Sequence, residues 1–87
     1  MSDARVAEIL DRIRDIPKGS VQAYSDIDPH APRLVGRVLA NCPDDVPWYR
    51  VVHADGSIPM GYRQRELLLA EGVPMIGRRV DIDRARA

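Results

Sequence analysis

Three prolines, Pro17, Pro29 and Pro32, partition the first half of this chain and limit the length of any helix within it. Proline lacks the N–H that a helix interior needs, and its ring clashes with the preceding turn. Pro17 must therefore end whatever helix precedes it. Before it, Val6, Ile9, Leu10, Ile13 and Ile16 recur at three-and-four spacing, with Ser2 or Asp3 placed to cap the start. This spacing predicts an amphipathic scaffold helix over about residues 3 to 15. On its outer face Glu8 and Arg12 stand at i,i+4, a solvated arrangement contributing about 0.2–0.5 kcal/mol and implying no function.

Between Pro17 and Pro29, Ile16-Pro17-Lys18-Gly19-Ser20-Val21 reads as a turn into a short extended piece. Ala23-Tyr24-Ser25-Asp26-Ile27 then fits about one and a half helical turns. Pro32 suits the first position of a further helix, where its missing N–H is not required, and that helix should run to about Asn41. Two short helices joined by a tight turn predict a helix-turn-helix.

The second of these helices has two faces. Leu34, Val35, Val38 and Leu39 are apolar, whereas Arg33, Gly36, Arg37 and Ala40 form a stripe that is small in the middle and cationic at its edges. A glycine inside a helix costs about 1 kcal/mol relative to alanine. Either a phosphate chain or groove wall approaches the backbone at Gly36, or another helix packs there beside two solvated arginines.

Further on, Arg50-Val51-Val52-His53, the turn Ala54-Asp55-Gly56 and Ser57-Ile58 have the apolar content and Asp-Gly punctuation of a small β-hairpin. A hairpin after a helix-turn-helix predicts a winged helix. A last helix from Gln64 to Glu71 stops at Gly72, and Val73-Pro74-Met75-Ile76 leads into a tail from about residue 77. In that tail, Asp81-Ile82-Asp83-Arg84-Ala85-Arg86 reads as a frayed end or a short extended segment. The expected fold is mostly α with a small β-hairpin, a winged helix-turn-helix in one domain over residues 1 to 87.

The formal net charge is zero, but it is unevenly distributed: residues 1 to 28 carry four bases and six acids, and residues 29 to 65 carry five bases and three acids. The middle of the chain is the expected anion-facing surface. Zero net charge argues against strong nonspecific binding to nucleic acid, which scales with the number of phosphates neutralised; a DNA partner would need a structure-specific contribution. Lone Cys42 and isolated His30 and His53 offer no ligand spacing, so neither a metal nor another cofactor is expected. No leader opens the chain and no apolar run approaches the roughly 20 residues of a membrane span, which predicts a cytoplasmic protein without a membrane partner.

Several segments together resemble one family: Ile16-Pro17-Lys18-Gly19-Ser20-Val21 with Tyr24, then Arg33-Leu34-Val35-Gly36-Arg37-Val38-Leu39, Pro47-Trp48-Tyr49-Arg50-Val51-Val52, and Glu71-Gly72-Val73. Taken in order over roughly residues 5 to 75, they resemble the DNA-binding domain of the O6-alkylguanine-DNA alkyltransferases. In that family the segment after the proline is Cys-His-Arg-Val, whose thiolate, activated by His and a downstream Glu, accepts the alkyl group. Here Trp48 stands for the Cys and Tyr49 for the His, and Glu71, matching the relay acid, is expected to lack a partner. The chain therefore most resembles the alkyltransferase-like proteins, which bind alkylated guanine without repairing it.

The resemblance implies no enzyme. It implies a sensor of O6-alkylguanine in double-stranded DNA that inserts a helix into the minor groove, flips the lesion and presents it to nucleotide excision repair proteins, as a monomer. It assigns Arg33 as the finger filling the vacated stack, Tyr24 as the residue rotating the target phosphate, Gly36 as the point of close approach and Arg37 as a phosphate contact. It assigns Trp48, Tyr49 and Val51 to the lesion pocket, with the Tyr49 ring beneath it and its hydroxyl bonded internally, and gives Arg50 the role of holding the loop. Taken alone, Trp48 also fits a core tryptophan beside a loop.

Four departures from the family pattern bear on these roles. Leu34 replaces a small residue beside Arg33, the turn between Tyr24 and Arg33 is short, and so is the segment before Gln64, where Gly61 falls at the place of a pocket arginine and Arg63 is the available substitute. Cys42 stands beside Asp44 and Asp45, which would raise its pKa, so it is not expected to accept alkyl groups. Two further readings stay open: a winged-helix regulatory or architectural DNA binder without lesion preference, and a protein-interaction module that has lost DNA binding.

Overall fold

A computed structural model describes residues 3–87. Helix α1 spans Asp3–Arg14 and ends just before the Pro17 turn. Ile9, Ile13 and Ile16 are at most 2% exposed, as the three-and-four spacing requires, and burying each such side chain contributes about 1.5–3 kcal/mol. Of the two expected caps, Ser2 falls outside the described residues and Asp3 already lies within the helix. Arg12 does pair with Glu8 at 2.7 Å. It does more than that, because its Nη1 donates to the Ile27 carbonyl at 2.6 Å and so ties α1 to the end of the next helix.

Pro17-Lys18-Gly19-Ser20 is a tight turn in which Gly19 takes a φ of +87°, closed by Ser20 N–H donating to the Pro17 carbonyl at 3.0 Å. Strand β1 (Gln22–Ala23) and helix α2 (Tyr24–Ile27) follow. Helix α3 spans Pro32–Ala40 with Pro32 in its first turn. Between α2 and α3, Asp28 Oδ1 accepts from the N–H groups of His30 at 3.1 Å and Ala31 at 3.2 Å, while Oδ2 accepts from Arg5 Nη2 at 2.8 Å. Burial disfavours the Asp28 charge, but the Arg5 guanidinium and the two N–H donors outweigh it and hold the carboxyl below its ordinary range. One buried carboxylate thus fixes the angle of the helix-turn-helix.

The β-structure differs from the expected hairpin over Arg50–Ile58. Strand β2 (Val51–Val52) pairs in parallel with β1, Gln22 opposite Val51 and Ala23 opposite Val52. The Ala54-Asp55-Gly56 turn does form, with His53 N–H donating to the Ser57 carbonyl at 3.0 Å, but Ser57 and Ile58 do not continue as a strand. The antiparallel hairpin lies later, between β3 (Met75–Ile76) and β4 (Arg79–Val80). Alternation along β2 divides the core: Val51 packs with Ile9, Ile13, Ile27, Val35 and Val38, whereas Val52 packs with Val21, Leu68, Val73, Val80 and Ala85.

Helix α4 covers Gly61–Ala70, beginning before the expected Gln64. It ends in a Schellman motif, with Val73 N–H donating to the Leu68 carbonyl at 3.1 Å and Gly72 N–H to Leu69 at 3.0 Å. The end of the chain is neither frayed nor extended: Ile82–Ala85 form helix α5. Its Ala85 carbonyl accepts from Val21 N–H, and the Val21 carbonyl accepts from Ala87 N–H, both at 2.9 Å. Alternating charge disguised a segment anchored by two buried residues, Val80 and Ala85. Among the described residues no helix is long and apolar enough to cross a membrane.

Candidate nucleic-acid interface

The parallel pairing of β1 with β2 brings together two segments that are far apart in sequence. Residues one step beyond the paired ends, Tyr24 and His53, place their rings 5.4 Å apart at 41°, so Tyr24, which opens α2, stands beside the residue that follows β2, and it shares a cleft with Trp48 of the loop that precedes β2. That loop forms a single 3-10 turn, Trp48–Arg50. Between it, α3 and the start of α4 lies a cleft of about 600 Å3 lined by Tyr24, Gly36, Trp48, Val51, Met60 and Arg63, among others. Five of the eight sequence-assigned site residues therefore meet at one place. Trp48 is half-buried on the cleft wall rather than enclosed in the core, and the fully buried Val51 lies beneath.

Arg33 and Arg37 do not line this cleft. Both are exposed on α3 and form no ion pair among the described residues, with Arg33 one turn from Gly36 on the same stripe. A Cβ built on Gly36 would meet nothing within 4 Å, so helix-on-helix packing does not account for this glycine; the helix surface there is open to the cleft. Leu34 turns inward and packs against the core beside α1, leaving the open face of α3 to the arginines and small residues.

Tyr49, expected beneath the pocket with its hydroxyl bonded internally, has that internal bond but no place on the cleft wall. It lies on the opposite side of the Trp48 turn, its ring edge-on to Trp48 with centroids 5.8 Å apart, and its hydroxyl donates to Glu71 Oε2 at 2.8 Å. Glu71, expected to be without a partner, is the centre of a cluster. Arg50 donates through Nε to Oε1 at 3.0 Å and through Nη2 to Oε2 at 2.6 Å, and Gly19 N–H donates to Oε1 at 3.4 Å. Arg50 also donates from Nη1 to the Ile16 carbonyl at 2.9 Å.

The electrostatics follow from these contacts. Hydrogen bonds from Arg50, supported by Tyr49 and Gly19, hold the Glu71 carboxyl below its ordinary range despite burial. Burial and then the Glu71 carboxylate raise the Tyr49 phenol, so at neutral pH Tyr49 is a donor already engaged. A relay acid saturated by a guanidinium and a phenol has no capacity left to activate a nucleophile. Cys42 lines the cleft, but burial pushes its thiol up and Asp44 and Asp45 push it further. The arrangement can hold a flat, partly apolar group against an indole wall.

Sequence reasoning missed Gln64. Its side chain is fully buried in α4, donating from Nε2 to the Tyr49 carbonyl at 3.1 Å and the Val51 carbonyl at 2.8 Å and accepting from Met60 N–H at 2.9 Å. The Trp48 turn is therefore fixed on one side by Arg50 and Glu71 and on the other by Gln64. The available signal was a polar residue on the same helical face as Leu68, four positions on, a pattern that predicts burial only once hydrogen-bond partners are known.

The family model described as "6-O-methylguanine DNA methyltransferase, DNA binding domain" matches residues 4–73. The chain is 42% identical over 83 residues to a DNA base-flipping protein of Escherichia coli, a match covering 82% of this chain and spanning 64% of that protein's length. It is 35% identical over 82 residues to a DNA base-flipping protein of Vibrio parahaemolyticus, with 82% of both chains covered. Among solved structures it is similar to S. pombe Atl1 in complex with damaged DNA containing O6-carboxymethylguanine, with a TM-score of 0.84 at 23% identity, covering 100% of this chain and 97% of that one.

Proposed function

The chain belongs to the family of the 6-O-methylguanine DNA methyltransferase DNA-binding domain, and from that premise we propose that it is a noncatalytic sensor of O6-alkylguanine in duplex DNA. The observation that carries this reading is the cleft itself: an indole wall stands where an acceptor would be needed, beside an open, cationic helix face. Helix α3 enters the minor groove with Arg33 filling the stack vacated by the flipped base, Arg37 on a phosphate and Gly36 at the point of closest approach. Tyr24 meets the phosphate of the flipped nucleotide; Trp48 and Arg63 receive the base above Val51. Flipping costs a few kcal/mol of unstacking, less at a damaged pair, which itself favours the lesion.

Affinity and residence on DNA are then the function, and the bound site is handed to nucleotide excision repair proteins by a monomer acting in the cytoplasm. The E. coli and V. parahaemolyticus relatives, both described as DNA base-flipping proteins, support this reading. A DNA binder without lesion preference draws its motivation from the shortened loops and from Leu34 beside Arg33; Leu34 packs inward against the core, which weakens the second of these motives and leaves the first. The test is Trp48→Ala in competition between O6-methylguanine and guanine duplexes. The variant should retain affinity for undamaged duplex and lose its preference for the lesion; an unchanged preference would remove Trp48 from the pocket and the reading with it.

A further inference from the structure

A second cavity, of about 370 Å3, lies beside the cleft and is lined by Ile58, Gly61, Tyr62, Arg65 and Arg78. The first turn of α4 separates the two: Met60 and Arg63 border the cleft, Gly61 and Tyr62 the second cavity. No Asp or Glu lines it, although the Glu66 carboxylate hydrogen-bonds Tyr62 at its rim, and neither Arg65 nor Arg78 forms an ion pair among the described residues. Arg65 Nε is buried without a hydrogen-bond partner within the protein. A desolvated donor of a charged group is costly to leave unmatched, and a planar guanidinium matches phosphate oxygens in particular. Arg78 reaches the same cavity from the turn between β3 and β4, where Gly77 takes a φ of +58°. Tyr62 stands at the rim, 71% exposed.

We propose that Arg65 and Arg78 together bind a backbone phosphate of the DNA strand, next to the cleft that receives the flipped base. This rests on the DNA-binding reading above and extends it to a segment, the β3–β4 turn, that the family match over residues 4–73 does not reach. Being a backbone contact, the site carries no lesion information. It lengthens the protein's footprint and strengthens binding to any duplex equally.

The test is the salt dependence of duplex binding for the parent protein, Arg78→Gln, Arg65→Gln and, as a remote control of equal charge, Arg14→Gln. Each phosphate contact contributes about 0.9 to the slope of log affinity against log salt, so losing one removes about 3.5-fold of the affinity change between roughly 50 and 200 mM salt. Arg78→Gln, whose residue is exposed and leaves the core untouched, should show this loss on damaged and undamaged duplexes alike, with Arg65→Gln matching it and Arg14→Gln at the parent value. A parent slope that Arg78→Gln leaves unchanged overturns the inference alone; a parent protein that binds no duplex overturns the proposed function with it. Free phosphate is the other source of the same ligand chemistry. If inorganic phosphate at constant ionic strength shifts the Arg65 Nε–Hε resonance while Arg78→Gln spares the duplex slope, the cavity belongs to free phosphate and the DNA assignment is wrong.

Discussion

Replacing Glu71 by glutamine tests whether the cluster beneath the cleft is a structural lock or a relic without energetic consequence. The side chains of Arg50 and Glu71 are 14% and 10% exposed and meet at 2.6 Å, so solvent screens them little. Removing one partner of a buried pair typically costs about 3–5 kcal/mol, because the remaining charge is left uncompensated. Arg50 keeps its bond to the Ile16 carbonyl, and an amide oxygen can still accept from one donor, which places the expected loss near the lower end, about 3 kcal/mol. Against a total stability of about 5–15 kcal/mol this is a large share. At about 4–8 °C per kcal/mol for a domain of this size, the melting temperature should fall by roughly 12–24 °C.

The same carboxyl contributes an acid-dependent part. Its folded pKa is depressed, chiefly by hydrogen bonds from Arg50, so its contribution is fully present above the unfolded value of about 4.3 and disappears as pH falls through the lower folded value. Thermal melts followed by circular dichroism from pH 7 downward should show the parent losing this increment below about pH 4.3 and the glutamine variant lacking that portion of the slope. Tyr49→Phe, which removes one donor and leaves the ion pair, should cost only about 1.5 kcal/mol. A glutamine variant within 1 kcal/mol of the parent, with the same acid slope, would refute the reasoning.

Arg33 is exposed and forms no ion pair among the described residues, so Arg33→Ala should leave the melting temperature unchanged while weakening lesion binding by about 1–3 kcal/mol in a titration, the scale of a lost stacking group; a stability loss without a binding loss would exclude the finger role. Trp48→Cys should transfer no methyl group to protein, because Tyr49 and Arg50 already saturate Glu71, and a methylated cysteine at the substituted position in a peptide mass spectrum would contradict that. Gly56 takes a φ of +87°, and a Cβ there would collide with the Val80 carbonyl oxygen. Gly56→Ala should therefore cost at least about 2 kcal/mol in urea unfolding and undock β4; near-parent stability would show that the turn is free to move.

Local signals exposed part of this molecule and tertiary partners determined the rest. Helices α1 and α3 were legible because their apolar periodicity and flanking prolines act over a few residues, and the same is true of the Gly72 stop after α4. The parallel pairing of Gln22–Ala23 with Val51–Val52 was not. Two-residue strands leave no alternation to read, and their partners lie 29 residues apart in the register Gln22 to Val51. At the site, Tyr24, Gly36, Trp48, Val51 and Arg63 could be assigned together only through the family resemblance, since no spacing rule joins them. Glu71 was misjudged because its partners were sought among the residues of a catalytic relay, whereas Arg50, assigned to the loop, holds it. Gln64 and Asp28 share one cause: a buried polar side chain is indistinguishable from a solvated one until its donors and acceptors are placed.

The most direct measurement is fluorescence anisotropy of a short duplex carrying one O6-methylguanine, against the same duplex with guanine, at physiological salt, with the recovered DNA then weighed by mass spectrometry. Tighter binding to the damaged duplex with the methyl group still on the DNA is the result predicted here. Equal affinity for the two duplexes, or a methyl group found on the protein, would contradict the account.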